Sequence, residues 1–103
     1  MYARVITFSG ADPERRDSAI QTIRETVLPM LRGYDGYAGY LAVYDADNRR
    51  AQAIILWETK DAAESAETTL AERRIKLASG VGLTVESADL YEAPVFDFAG
   101  VQV

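Results

Sequence analysis

Two segments of the chain are apolar at almost every position. They span residues 37–44 and 51–58 and are joined by the polar stretch 45–50. Tyrosine, valine, isoleucine and tryptophan favour strands, and the short polar stretch between the segments favours a hairpin turn. A hairpin with one wet face would alternate apolar and polar residues, which these strands do not. We therefore predict a hairpin that is covered on both faces.

The turn fixes how the two strands pair. With Asp47 and Asn48 in a two-residue turn, Tyr40 lies opposite Ile55. One face then carries the aliphatic set Gly39, Leu41, Val43, Ile54 and Leu56. The other carries large side chains among alanines, namely Ala38, Tyr40, Ala42, Tyr44, Ala51, Ala53, Ile55 and Trp57. We expect helices to pack on the aliphatic face and to leave the aromatic face bare.

A strand and a helix precede the hairpin. Residues 2–8 are rich in strand formers. Asp12 can cap a helix, and Pro13 suits its first position. Apolar residues then recur at steps of three and four as far as Gly33. A glycine at this place typically ends a helix. Pro29 falls inside this pattern, so we expect it to kink or loosen the last turn.

A second helix and a further strand follow the hairpin. Thr59 is a good N-cap, and Gly80 ends the helical pattern. Residues 83–93 predict a fourth strand whose broken alternation indicates a bulge. Residues 95–103 form a C-terminal tail, in which residues 95–98 could add a short fifth strand.

The order of these elements predicts the fold class. Strand, helix, strand, strand, helix, strand is the ferredoxin-like βαββαβ order of an α+β protein, with a four-stranded antiparallel sheet and two helices on one face. The 103 residues make a single domain, 1–103. A second copy is the natural cover for the bare aromatic face. We therefore expect a homodimer, a dimeric α/β barrel with a cavity in each half.

Composition excludes several functions. The net charge of −5 repels a phosphate backbone, so we expect no nucleic acid partner. The arginine pairs at residues 15–16, 49–50 and 73–74 are expected to be solvated surface charge. No apolar run is long enough for a membrane span, and without an export signal the cytoplasm is the expected location. The chain has no cysteine and no histidine, and we expect neither a metal nor another cofactor.

Several short motifs together resemble a known family. They are Tyr2-Ala3-Arg4-Val5, Val27-Leu28-Pro29, Gly36-Tyr37, Leu56-Trp57-Glu58-Thr59 and Asp61-Ala62-Ala63. In order and spacing they resemble small dimeric α/β-barrel proteins of the antibiotic biosynthesis monooxygenase type. The likeness spans nearly the whole chain.

The resemblance implies several activities. The family includes oxygenases that use neither metal nor flavin on polycyclic aromatic substrates, haem-degrading enzymes, quinol-processing enzymes and proteins without known activity. The haem-degrading pattern implies a histidine and a tryptophan on the second helix and an asparagine on the first strand. This chain has no histidine, its only tryptophan is Trp57, and its only asparagine, Asn48, lies in the hairpin turn. We therefore do not expect this protein to degrade haem.

The candidate ligand-binding residues are Arg4, Tyr40, Tyr44, Ile55 and Trp57. The aromatic rings could form pocket walls, and Arg4 could hold a phenolate or carboxylate. Each also has an ordinary structural interpretation, in which the rings pack in a core or interface and Arg4 pairs with an acidic neighbour. No convincing catalytic base accompanies them, and we assign no catalytic residue. Two functions stay open: a cofactor-independent monooxygenase for an aromatic or quinol-like molecule, and a non-catalytic binding or structural dimer.

Overall fold

The computed structural model describes residues 1–100 and contains one four-stranded antiparallel sheet and two helices. The elements are β1 (Tyr2–Ser9), α1 (residues 13–32), β2 (Tyr37–Asp45), β3 (Arg50–Trp57), α2 (Lys60–Gly80) and β4 (Thr84–Glu92). The strand order across the sheet is β2-β3-β1-β4. Both helices pack on the same side of the sheet, around one core. The predicted ferredoxin-like α+β fold is confirmed.

The hairpin has the predicted register. Tyr40 pairs with Ile55, and the turn closes through a hydrogen bond from the Arg49 amide to the Ala46 carbonyl at 3.2 Å. The register shifts between Tyr37 and Gly39, so Tyr37 rather than Ala38 lies opposite Trp57. This irregularity brings the ring of Tyr37 against the indole of Trp57.

The two faces of the hairpin are covered in the opposite way from the prediction. Trp57 and Ile55, on the aromatic face, are only 1% and 5% exposed, because the chain's own helices cover them. Leu41 and Val43, on the aliphatic face, are 45% and 43% exposed. The expectation that the aromatic face is bare is therefore wrong.

Two physical causes set this arrangement. β1 and β2 run parallel with β3 between them. Connections between parallel strands of one sheet are right-handed in nearly all proteins, and this rule puts the helix layer on one defined side. That side carries the large rings, and α2 meets them with small residues, including Ala63 and Ala66. Small helix residues leave the volume that large sheet residues fill.

Helix α1 changes geometry along its length. It consists of a 3-10 turn (Pro13–Arg15), an α-helix (Arg16–Thr22), a π turn (Ile23–Val27) and a final α-helical turn (Leu28–Arg32). The carboxylate of Asp12 caps its start by accepting from the Glu14 amide at 3.0 Å. The π turn lies directly before the segment with Pro29, which lacks an amide donor. The irregularity therefore lies one turn earlier than predicted, since the last turn, which contains Pro29, is α-helical.

The second half of the chain also follows the sequence pattern. The hydroxyl of Thr59 accepts from the Ala62 amide at 3.1 Å and so caps α2, which ends at Gly80. A register shift against Thr7 and Phe8 marks the predicted bulge in β4. Within the residues that the structure describes, no helix meets the length and hydropathy that a membrane span requires.

The predicted fifth strand is wrong for the residues described. Residues 95–98 carry no strand, and the ladder beside β1 ends with a hydrogen bond from the Ala93 amide to the Met1 carbonyl. Val95 and Phe98 are 83% and 60% exposed. The prediction for residues 101–103 of the tail lies outside the described residues.

Candidate ligand cavity

A cavity of about 200 Å³ lies between the inner face of the sheet and the two helices of a single chain. Most of its lining is aliphatic or aromatic, and the sheet and both helices contribute. The apolar lining residues include Ile6, Phe8, Ile20, Ile23, Val27, Met30, Leu31, Ala53, Ile55, Leu70 and Leu77. Polar lining groups come from Arg16, Thr22, Tyr40, Tyr44, Gln52 and Arg74. No carboxylate lines the cavity within residues 1–100.

The sequence explains why this space is not filled. On β2 and β3, alanines at positions 42, 51 and 53 alternate with larger side chains. These short side chains leave space above the sheet, which forms the floor of the cavity. Over this floor lies the π turn of α1, which contributes Ile23 and Val27. A π turn widens a helix locally and is common at functional sites. Small residues below and a widened helix above leave an apolar cavity.

Two tyrosines of β2 line the cavity with different roles. The hydroxyl of Tyr44 donates to the Asp12 carbonyl at 2.7 Å, which ties β2 to the start of α1. The hydroxyl of Tyr40 has no hydrogen-bond partner among the described residues. Burial, with a smaller effect from the neighbouring Tyr37, raises the pKa of Tyr40 to about 12. At neutral pH Tyr40 is therefore a protonated donor rather than a base.

Arg74 adds a buried charge to the cavity wall. Its guanidinium makes two hydrogen bonds to the Glu67 carboxylate, at 2.7 and 2.9 Å. Arg4 approaches the same carboxylate, with 3.8 Å between its Nε and Oε1 of Glu67, and donates to the Ala88 carbonyl at 3.2 Å. The side chains of Arg4 and Arg74 are only 11% and 10% exposed. One carboxylate thus lies between two buried guanidinium groups.

The structure brings some of the predicted site residues together. Tyr40, Tyr44 and Ile55 line the cavity, whereas Arg4 and Trp57 are not among its lining residues. The indole of Trp57 lies edge-on to the rings of Tyr34 and Tyr37, with ring centroids 6.3 and 6.2 Å apart. That these five residues bind a ligand stays a prediction.

Sequence reasoning missed Arg74. Both residues 73 and 74 were predicted to be solvated surface charges. This is correct for Arg73, which is exposed, and wrong for Arg74. The available signal was the spacing of seven residues between Glu67 and Arg74, which puts both on the same side of a helix.

The fold and the intramolecular cavity define the class of protein. The chain is a ferredoxin-like α+β protein with the fold of the antibiotic biosynthesis monooxygenase type. A monooxygenase from the gene ActVA-Orf6 of Streptomyces coelicolor, solved in complex with the ligand nanaomycin D, matches with a TM-score of 0.71 at 19% identity, over 96% of this chain and 92% of that chain. The fold resemblance inferred from the sequence is confirmed.

Two other solved structures have a similar fold. A putative antibiotic biosynthesis monooxygenase from Deinococcus radiodurans matches with a TM-score of 0.69 at 19% identity, over 97% of this chain and 100% of that chain. SnoaB, a cofactor-independent oxygenase from Streptomyces nogalater, matches with a TM-score of 0.64 at 16% identity, over 92% of this chain and 94% of that chain. At this level of identity the likeness is one of fold.

Sequence comparison finds proteins without a described activity. The chain is 32% identical over 84 residues to the uncharacterised protein Rv2557 of Mycobacterium tuberculosis. The match covers 82% of this chain, but this chain spans only 37% of the length of the curated relatives that it matches. No family model matches the chain.

Proposed function

We propose that this protein binds a small aromatic or quinol-like molecule in the cavity between its sheet and its helices. The proposal is supported by an apolar cavity of about 200 Å³ whose wall includes Tyr40, a phenol without a hydrogen-bond partner in residues 1–100. Apolar cavities of about 150 Å³ admit benzene. The volume here therefore suits one ring or two fused rings, with a carbonyl or hydroxyl oxygen accepting from Tyr40.

Cofactor-independent oxygenation is the second candidate, because the same fold occurs in proteins described as a monooxygenase and as a cofactor-independent oxygenase. In such a reaction a ring methylene and one O₂ give a ring carbonyl and one water. The methylene must first lose a proton. No carboxylate within the described lining can accept that proton, so the substrate itself would have to be acidic.

We further propose that the protein is a homodimer that pairs through the outer face of the sheet. The support is the exposure of Leu41 and Val43 there, which leaves apolar surface in water. This replaces the aromatic face that the sequence suggested for the same role. Each subunit then keeps its own cavity on the opposite side of the sheet.

Binding and oxidation can be separated by experiment. Isothermal titration calorimetry with naphthalene derivatives tests binding. Oxygen uptake with 1,3-indandione, whose two fused rings include an acidic methylene, tests turnover. Tyr40→Phe removes the unpartnered hydroxyl, and we expect weaker binding of ketones by about fivefold, in line with the loss of one hydrogen bond. Tyr91→Phe, at a tyrosine outside the cavity, is the matched control. Absence of binding by the native protein would refute the proposed function, and binding without oxygen uptake would remove the oxygenase.

The dimer has its own test. Sedimentation of the native chain at micromolar concentration should give twice the monomer mass of 11.3 kDa. The double variant Leu41→Asp/Val43→Asp should sediment as a monomer, because it buries two carboxylates in the proposed interface. Ile75→Asp, at a helix position that is 59% exposed, should remain dimeric. A native monomer at this concentration would contradict the proposal.

A further inference from the structure

The most unusual buried feature of the molecule is the charge cluster of Arg4, Glu67 and Arg74. Two guanidinium groups and one carboxylate leave this cluster with a net charge of +1. The Nε of Arg4 is fully buried and has no hydrogen-bond partner within the described part of the chain. Its distance of 3.8 Å from Oε1 of Glu67 is that of an ion pair and too long for a hydrogen bond.

Such an excess of buried positive charge is costly. Burying a charge without a partner of opposite sign is unfavourable, and buried carboxylates and guanidinium groups are normally balanced. Here Glu67 is the single carboxylate in the cluster's ion pairs and is shared by both arginines. An anion next to the cluster would balance its charge.

Arg74 connects this cluster to the cavity. It lines the cavity wall, and a guanidinium has five N–H donors, of which Glu67 takes two. We propose that the cavity selects aromatic ligands that bear an acidic group, a carboxylate or an ionised phenol, and that Arg74 is the residue that binds this group. This inference rests on the proposed function, since it names the ligand class of the same cavity.

The roles of the three residues then differ. Arg74 contacts the acidic group of the ligand, and Glu67 holds the Arg74 fork in place while offsetting part of its charge. Arg4 does not line the cavity. Its positive charge offsets the negative charge of Glu67, so the positive charge of Arg74 is not neutralised. Tyr40 also lines the cavity, and its hydroxyl remains available to an oxygen of the ring system.

A size-matched ligand pair tests the inference. Naphthoate carries the acid and acetylnaphthalene is its neutral counterpart, and calorimetry measures both. We expect the native protein to bind naphthoate about tenfold more tightly, as a charge-assisted contact predicts. Arg74→Gln should abolish this preference, because it should weaken naphthoate binding about tenfold more than acetylnaphthalene binding. Arg73→Gln, an exposed neighbour that does not line the cavity, should keep the preference.

A second variant acts in the opposite direction and guards against a folding defect. Glu67→Gln keeps the side-chain shape but removes the negative charge, so naphthoate should bind several times more tightly than to the native protein. If the cluster had only a structural role, Arg74→Gln and Glu67→Gln would both weaken the binding of both ligands, and this result would overturn the inference. Equal binding of the two ligands by the native protein would overturn the inference and leave the proposed function intact. Binding of neither ligand would overturn both.

Discussion

Replacement of Trp57 by alanine tests whether the aromatic face is covered by the chain's own helices. Trp57 is 1% exposed and packs edge-on against Tyr34 and Tyr37. A buried tryptophan replaced by alanine costs about 3 to 5 kcal/mol in total, and the two edge-on aromatic contacts place Trp57 in the upper part of this range. The free energy of unfolding should therefore fall by about 4 to 5 kcal/mol, a large part of the roughly 5 to 15 kcal/mol of a typical domain.

Urea denaturation followed by circular dichroism measures this loss. With a dependence on urea of about 2 kcal/mol per molar, the midpoint should fall by about 2 M. Ile75→Ala, at an exposed position of α2, is the control and should change stability by no more than about 0.5 kcal/mol. Both proteins must be compared at one concentration, because any dimer makes stability depend on concentration.

The fluorescence of the native protein provides an independent measurement, because Trp57 is the only tryptophan. Its emission should be shielded from acrylamide and should not change when the protein is diluted. A tryptophan in a contact between two subunits would become exposed on dilution. Emission that shifts to the red on dilution, or a cost for Trp57→Ala as small as that for Ile75→Ala, would refute the assignment of the aromatic face to the interior of one chain.

Two further predictions concern a cap and a titration. Thr59→Ala removes the side-chain acceptor for the Ala62 amide and should cost about 1 kcal/mol in urea unfolding, whereas Thr68→Ala, within the same helix, should be nearly neutral; equal effects would contradict the capping role. The folded chain keeps the Tyr40 proton up to a pKa of about 12, and the unfolded chain releases it near 10.0, so stability should fall by about 2 to 3 kcal/mol as the pH rises between these values. Tyr40→Phe should flatten this part of the stability profile, and an unchanged slope would show that other groups cause it.

The local features of this protein could be predicted well from its sequence. The hairpin register follows from one turn at Asp47 and Asn48, and the helix limits follow from the caps Asp12 and Thr59. These features depend on neighbours in the chain, so spacing and residue type are sufficient. The bulge in β4 and the irregular turn near Pro29 belong to the same group.

The candidate site was less predictable. Tyr40, Tyr44 and Ile55 could be found because they share one face of a hairpin with clear alternation, and all three line the cavity. Arg74 could not be separated from Arg73 by residue type, although the Arg74 side chain is only 10% exposed and Arg73 lies at the surface. Its role depends on the sheet that α2 covers and on a carboxylate two turns away.

The sequence by itself therefore determined the strands, the helices, their order and the alternation of side chains on each strand. Only the tertiary structure decided which face of the sheet the helices cover. That choice depends on the handedness of the crossover from β1 to β2 and on the fit of the small residues Ala63 and Ala66 over large rings. Strand alternation is the same whichever face is covered, so no pattern within the hairpin could decide it.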